Sequence, residues 1–271
     1  MRSPSAKETW RNSEQFIRHI RERLSNRSAS QGARYDHTPA ERDSVVLLPL
    51  TNTPGVASEG VVPSLILNKR SERVRQAGDL CYPGGSIAAL DGFLSLLLRL
   101  PFLPLAKWPY SNGEAVSRKT RADTAVLLAT GLREAWEEMR MNPLRLAFLG
   151  LLPVERLVLF NRRIHPLSVW VSPQRRYSPN WEVARIVHIP ISELLNASNY
   201  ARYRPTFSGA LLDRREEFPC FIHQGKQGRE ILWGVSYRIT MHFIWQVFDF
   251  APPAAVGLPL IEGRLSTTYM G

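Results

Sequence analysis

The chain has 271 residues, 44% of them hydrophobic and 10% aromatic, which is enough to bury a core and too apolar for wholesale disorder. A formal net charge of +11 points to an anionic partner, whether a phosphorylated small molecule, a nucleic acid or a membrane surface. Two cysteines, Cys81 and Cys220, are too few for a disulfide framework and lack metal-ligand spacing, which suits a reducing, cytoplasmic setting.

The N-terminal stretch is polar, carries Glu8, Glu14 and Glu22, and reads neither as a secretory signal nor as a transit peptide. No run reaches transmembrane length. Ser5-Ala6-Lys7-Glu8 has capping-box form, and Trp10, Phe16, Ile17, Ile20 and Leu24 follow at helical spacing, so an amphipathic helix packed on the domain is predicted. Residues 26–41 are rich in Ser, Arg and Gly and read as a linker. The expected partition is 1–43 for this helix and linker, 44–250 for one domain with an insertion at about 92–125, and 251–271 for a tail without strong periodicity.

Strands are predicted at 44–50 and 61–68. Residues 93–108 are apolar but interrupted by Pro101 and Pro104, so they suggest a helical hairpin over the site, a dimer contact or an interfacial patch rather than a span. Apolar residues recur near period 3.6 from Ala125 to Met139, which predicts a helix over 121–141 ending before Pro143. Strands follow at 146–152, 154–160, 164–171 and 184–189, then a short helix at 191–195. A hairpin joins 218–223 to 231–235, and 237–248 reads as a final helix. Strands on both sides of two helices imply an α+β fold with a mixed sheet between helices.

The 121–141 helix ends in Arg133-Glu134-Ala135-Trp136-Glu137-Glu138, whose spacing puts three carboxylates on one face. Like charges so placed cost about 0.2–0.5 kcal/mol per close pair. A hard divalent cation, Mg²⁺ or Mn²⁺, would offset that cost. The competing reading is a solvated acidic face paired with Arg133. Upstream, Lys69, Arg70, Arg73 and Arg75 precede the turn Pro83-Gly84-Gly85. Guanidinium groups suit bidentate phosphate contacts, and Gly84 and Gly85 let backbone N–H groups approach a phosphate closely.

These residues resemble the Nudix hydrolase box, G-x5-E-x7-R-E-U-x-E-E-x-G-U, with U an aliphatic residue. Gly85 matches the first glycine, Asp91 stands at the first Glu, and Arg133 to Glu138 match the core. Residues 92–132 lie where the pattern has seven, and Arg140 replaces the last glycine, so the helix is expected to run on to Met141 or Asn142. The stretch from Lys69-Arg70-Ser71 to Pro83-Gly84-Gly85 is similar to the coenzyme A diphosphatase subgroup, from which Ala77 and Asp79 depart. The resemblance implies a Nudix-type α/β/α sandwich with a central mixed sheet. It also implies Mg²⁺ or Mn²⁺ on Glu134, Glu137 and Glu138, an Arg133–carboxylate tie, and a general base at Glu134 or Glu182. Arg70, Arg73, Arg75, Gly84 and Gly85 would hold a coenzyme A or acyl-CoA substrate, which would be split to 3′,5′-ADP and a 4′-phosphopantetheine species. No specific nucleic-acid partner is expected, and a homodimer is compatible with the apolar insert. The alternatives are hydrolysis of NADH, ADP-ribose or a nucleotide sugar, or a Nudix-like module that binds nucleotide or RNA without turnover.

Overall fold

The computed structural model describes residues 13–30, 38–40, 43–55, 60–100, 118–157, 162–206, 216–265 and 269. Strand β1 (Ser44–Pro54) runs through the middle of an eight-stranded sheet, because its side chains are apolar on both faces. Val45 and Leu47 join one core, and Val46, Leu48 and Leu50 pack on the other. That alternation is what a strand covered on both sides requires. β1 pairs antiparallel with β2 (Val61–Arg70) and β4 (Gly84–Ser86), while β3 (Leu80–Cys81) lies against β2.

Helix α2 (Ala89–Leu97) packs on helix α3 (Arg118–Met139), which crosses β1 with Leu127, Leu128, Leu132, Ala135 and Met139 buried. Strands β5 (Leu146–Leu151), β6 (Glu155–Leu157), β7 (Arg162–Val171) and β8 (Val183–Pro190) complete the sheet. β7 runs parallel to β1, so the sheet is mixed as expected. After the short helix α4 (Ile191–Leu194) comes a second sheet. Its order is β11 (Gly228–Leu232), β10 (Phe218–Gly225), β9 (Tyr200–Thr206) and β12 (Leu260–Arg264). Helix α5 (Gly234–Phe248) precedes β12 and packs on the face of the first sheet opposite α3.

The N-terminal helix α1 is observed at Ser13–Ser30 and so covers part of the predicted linker, while Ser5–Glu8 and Trp10 lie outside the described residues. Phe16, Ile20 and Leu24 are wholly buried. Arg21 donates to the Phe148 carbonyl and Arg23 to the Gln246 carbonyl, each at 3.0 Å, which fixes α1 between β5 and α5. Of the predicted 154–160 strand, 155–157 is observed and 158–160 lies outside the described residues. The same holds for Phe102 and Leu103 of the predicted hairpin. Among the described residues no helix is long and apolar enough to cross a membrane. Both cysteines are free thiols, and burial pushes Cys81 up to about 12 and Cys220 up to about 11.

One expectation needs correction. The stretch 251–271 is more than a tail, because β12 adds to β9 in parallel and Tyr269 is buried. Its prolines mask any periodicity in the sequence. Tyr269 donates to Asp79, which also accepts from Trp233 Nε1 at 3.0 Å, and the Tyr269 carbonyl accepts from Gln76 N at 3.0 Å. Burial raises the Asp79 carboxyl above its usual range despite these donors and the nearby Arg70 and Lys69 charges. A carboxyl whose folded value is raised contributes most below the unfolded value, and that contribution is lost as pH rises through the folded one. Asp79→Asn keeps an acceptor for Trp233 and a donor for the Tyr269 hydroxyl, yet cannot ionise. The variant is therefore expected to gain stability over the parent between pH 4 and pH 7, as measured by urea unfolding at each pH.

Candidate active site

The site begins with a tie across the interrupted box. Asp91 sits in the first turn of α2 with no solvent exposure. Arg133 on α3 grips it with both arms, Nε to Oδ1 at 2.8 Å and Nη2 to Oδ2 at 3.1 Å. Ala88 N and Thr130 Oγ1 also donate to Oδ2, at 2.8 and 2.9 Å. Arg133 Nη2 reaches the Ser86 carbonyl at 3.1 Å as well, so one side chain joins the glycine loop, α2 and α3. Burial pushes Asp91 up, but the Arg133, Ala88 and Thr130 hydrogen bonds outweigh it and hold the carboxyl below its usual range. Burial likewise opposes the Arg133 charge, yet the hydrogen bond to Asp91 raises its guanidinium above the ordinary value. The missing methylene of Asp91 relative to Glu thus leaves the tie intact.

The glycine loop lies over the carboxylates. Gly84 N donates to Glu138 Oε1 at 3.2 Å, and a Cβ on Gly85 would run into the Glu134 carboxylate. A Cβ on Gly84 would collide with the β1 backbone at Val45 and Val46. Glycine is required at 84 because backbone blocks any side chain, whereas a side chain at 85 would displace the Glu134 carboxylate. Glu138 is 9% exposed, and Asn68 Nδ2 on β2 donates to its Oε2 at 2.5 Å. Burial first, then the neighbouring Glu134 and Glu182 charges, push its carboxyl up to about 8, against the Gly84 and Asn68 hydrogen bonds. Glu134, raised mainly by burial, is tied at 2.8 Å to Arg133 Nη1. Glu137 is half exposed and meets the same Nη1 at 3.3 Å. With Arg133 drawing these two aside, no three acidic, His or Cys side chains converge on one point among the described residues.

Glu182 is brought in by the turn after β7. Ser178 N and Asn180 N donate to the Met139 and Glu138 carbonyls at the end of α3, at 3.0 and 2.8 Å. Asn180 Oδ1 accepts from Glu182 N at 2.9 Å, and the Glu182 carbonyl accepts from Ser71 N at 2.8 Å. Its charge is close enough to raise Glu138. Of the basic residues, Arg70 donates to the Arg75 carbonyl at 2.7 Å and so stiffens the 71–79 turn, whereas Arg73 and Arg75 are exposed. Thr130 and Asn68 escaped the sequence reading. Asn68 had left a signal as the polar residue that ends the apolar run Leu65-Ile66-Leu67.

α3 ends at Met139, not at Met141 or Asn142 as expected. Arg140 itself takes the left-handed conformation, with φ of 54°, and Met141 N returns to the Ala135 carbonyl at 3.2 Å. Together with Arg140 N, which donates to the Trp136 carbonyl at 3.0 Å, that bond closes the helix end, a task a C-terminal glycine normally performs. The Arg140 guanidinium lies 5.2 Å from the Trp136 ring centroid, and its carbonyl accepts from Gln174 Nε2 at 2.9 Å.

No family model matches the chain. It is 24% identical over 212 residues, 77% of its own length and 84% of the relative's, to a protein of Pectobacterium atrosepticum described as an uncharacterized Nudix hydrolase, NudL. A Klebsiella pneumoniae protein of the same description is 25% identical over 60% of this chain and 65% of its own length, so the chain spans just under two thirds of that relative. Among solved structures, a Nudix hydrolase from M. smegmatis, RenU, superposes with a TM-score of 0.37 and 12% identity over 57% of this chain and 73% of that one. The assembled box and the two sequence relatives define the class of the protein: it is a hydrolase. The chain is similar to Nudix hydrolases over most of its length.

An L-residue in the left-handed region costs about 1–2 kcal/mol, a cost that glycine avoids. Arg140→Gly and Arg140→Ala both lose the stack on Trp136. The glycine variant is expected to be about 1 kcal/mol more stable than the alanine variant, as measured by urea unfolding.

Proposed function

We propose that this Nudix hydrolase cleaves the diphosphate linkage of a nucleoside diphosphate derivative, coenzyme A or an acyl-CoA, with the help of Mg²⁺ or Mn²⁺. The observation that carries the reading is Glu138, a buried carboxylate held by two neutral donors, with no Lys or Arg partner among the described residues. Without a cation it is pushed up to about 8. The donor set fits a hard divalent ion, because Mg²⁺ keeps several waters and commonly takes only one or two carboxylates plus substrate phosphates. Glu138 and Glu134 would hold it, with Glu137 at the outer edge. When bound, the ion polarises phosphoryl oxygens and makes a coordinated water more acidic.

The remaining roles belong to the chain. Glu182, fixed between the Ser71 turn and the end of α3, is the candidate to take a proton from the attacking water, and Glu134 is the alternative. Arg133 positions Glu134 through its bond at 2.8 Å and anchors the glycine loop through Ser86. Arg73 and Arg75 stand exposed for substrate phosphates, and Arg70 shapes the turn that presents them. The coenzyme A assignment is supported by the motif from Lys69 to Gly85, which lies beside these carboxylates. A unit at about 44–250 is the proposed catalytic domain. The exposed Leu90, Phe93 and Leu96 of α2 support a homodimer, which light scattering of the purified chain in solution would detect.

Purified protein with Mg²⁺ or Mn²⁺ is expected to convert coenzyme A to 3′,5′-ADP and 4′-phosphopantetheine in preference to NADH, ADP-ribose and nucleotide sugars, as resolved by chromatography of the products. Glu138→Gln is expected to lower turnover by about three orders of magnitude, since metal charge stabilisation is worth several kcal/mol. Preferential cleavage of another member of the panel would reassign the substrate. Cleavage of none, together with salt-dependent RNA binding, would support the binding module.

A further inference from the structure

Asn68 is wholly buried in β2, paired across the sheet with Cys81 on β3 and Ile186 on β8. Its Nδ2 is committed to Glu138 Oε2 at 2.5 Å, and Gly84 N holds the other carboxylate oxygen at 3.2 Å. The two donors hold one oxygen each and so fix the rotation of the Glu138 carboxylate. The Asn68 Oδ1 atom has no hydrogen-bond partner, although it is buried. An unpaired buried acceptor is desolvated without compensation, so its survival beside an acidic cluster calls for a missing donor. The neighbouring strand residues Leu65, Ile66 and Leu67 are apolar and fully buried, and packing alone would favour another of the same kind at 68.

We propose that Asn68 is a positioning residue of the cation site: Nδ2 orients Glu138, and Oδ1 accepts a hydrogen bond from the hydration shell of the divalent ion. The proposal rests on the reading that Glu138 and Glu134 hold such an ion. It assigns to one amide both outer-shell tasks, orienting a ligand and satisfying the water beside it. An aspartate at 68 retains the acceptor and forfeits the donor. A leucine, of similar volume, forfeits both.

The test is Mn²⁺ binding to the full chain, followed by the electron paramagnetic resonance signal of free Mn²⁺, for the parent, Asn68→Leu, Asn68→Asp and Glu138→Gln. Circular dichroism and thermal melting without metal establish that each variant is folded. Loss of an outer-shell partner typically weakens binding about 10–100-fold, which is the loss expected for Asn68→Leu. Asn68→Asp, which keeps the acceptor but loses the donor to Glu138, is expected to bind more tightly than Asn68→Leu and less tightly than the parent. If leucine leaves Mn²⁺ affinity unchanged while Glu138→Gln abolishes binding, the cation reading stands and the role of Asn68 is overturned. If leucine and aspartate lose affinity equally, Oδ1 has no part and the proposal fails. If the parent binds no Mn²⁺, or binds it no better than Glu138→Gln, the cation reading falls and this proposal with it. Should Asn68→Leu not fold, Asn68→Asp and Asn68→Ser, which retain a polar side chain of no greater size, carry the same comparison: affinity below the parent for both and lower for serine than for aspartate supports the assignment, and the reverse order overturns it.

Discussion

The site depends on the pairing of Asp91 with Arg133. Residues 92–132 separate the two in the chain, yet their side chains meet at 2.8 Å, with Asp91 wholly buried and Arg133 mostly so. A buried ion pair need not stabilise a fold relative to apolar packing, but breaking one partner costs about 3–5 kcal/mol because the other charge is stranded. Here the remaining acceptor capacity of Asp91 is taken by Ala88 N and Thr130, so the carboxylate is fully engaged. Arg133 extends the constraint by holding the Ser86 carbonyl and Glu134. The distance between glycine loop and acidic helix is therefore set by one guanidinium and is insensitive to what the chain does in between.

Two buried carboxylates, Asp91 and Glu138, have opposite environments. Asp91 faces a guanidinium and is held below its usual range; Glu138 faces an amide and a backbone N–H and is pushed up to about 8. Burial pushes both up; at Asp91 the guanidinium and its fellow donors outweigh it, whereas at Glu138 two neutral donors do not. Placing the arginine on the structural carboxylate leaves the other one unneutralised. Divergent environments of this kind separate groups that hold a protein together from groups kept for chemistry. The neighbouring Glu134 and Glu182 add repulsion that a bound cation would convert to attraction.

Much of this was legible in the sequence where the periodicity was strong. β1, β7, α3 and the β10–β11 hairpin follow their apolar patterns, and Glu134 and Glu138 share a helical face as their spacing dictates. Three features were not legible, each for a physical reason. Asp91 and Thr130 interact across the insertion, and no local pattern encodes so distant a contact. β12 is short, edge-paired and preceded by prolines, so propensity says little until β9 offers it a partner. Arg140 terminates α3 in a conformation that its side chain disfavours, because the docked turn supplies donors to the Glu138 and Met139 carbonyls and Gln174 binds the Arg140 carbonyl. Tertiary bonds there override the preference that the box glycine would have met.

The same helix shows how the interrupted box is drawn together in space. On α3, Ala129, Leu132 and Trp136 recur at helical spacing on the side that meets α2, whereas Glu134 and Glu138 lie on the side beneath the glycine loop. The extra chain leaves from α2 and returns at the start of α3, and with Leu94, Leu97 and Leu98 the inserted helix bounds an apolar cavity of about 520 Å³ on that first side. Closing a longer loop costs little more than closing a short one, since the entropy grows only with the logarithm of its length. The cost is met where the ends are pinned, at Asp91 and Arg133. An insertion at this point enlarges the back of the helix without displacing its acidic face, so the box can be divided in the chain and whole in space.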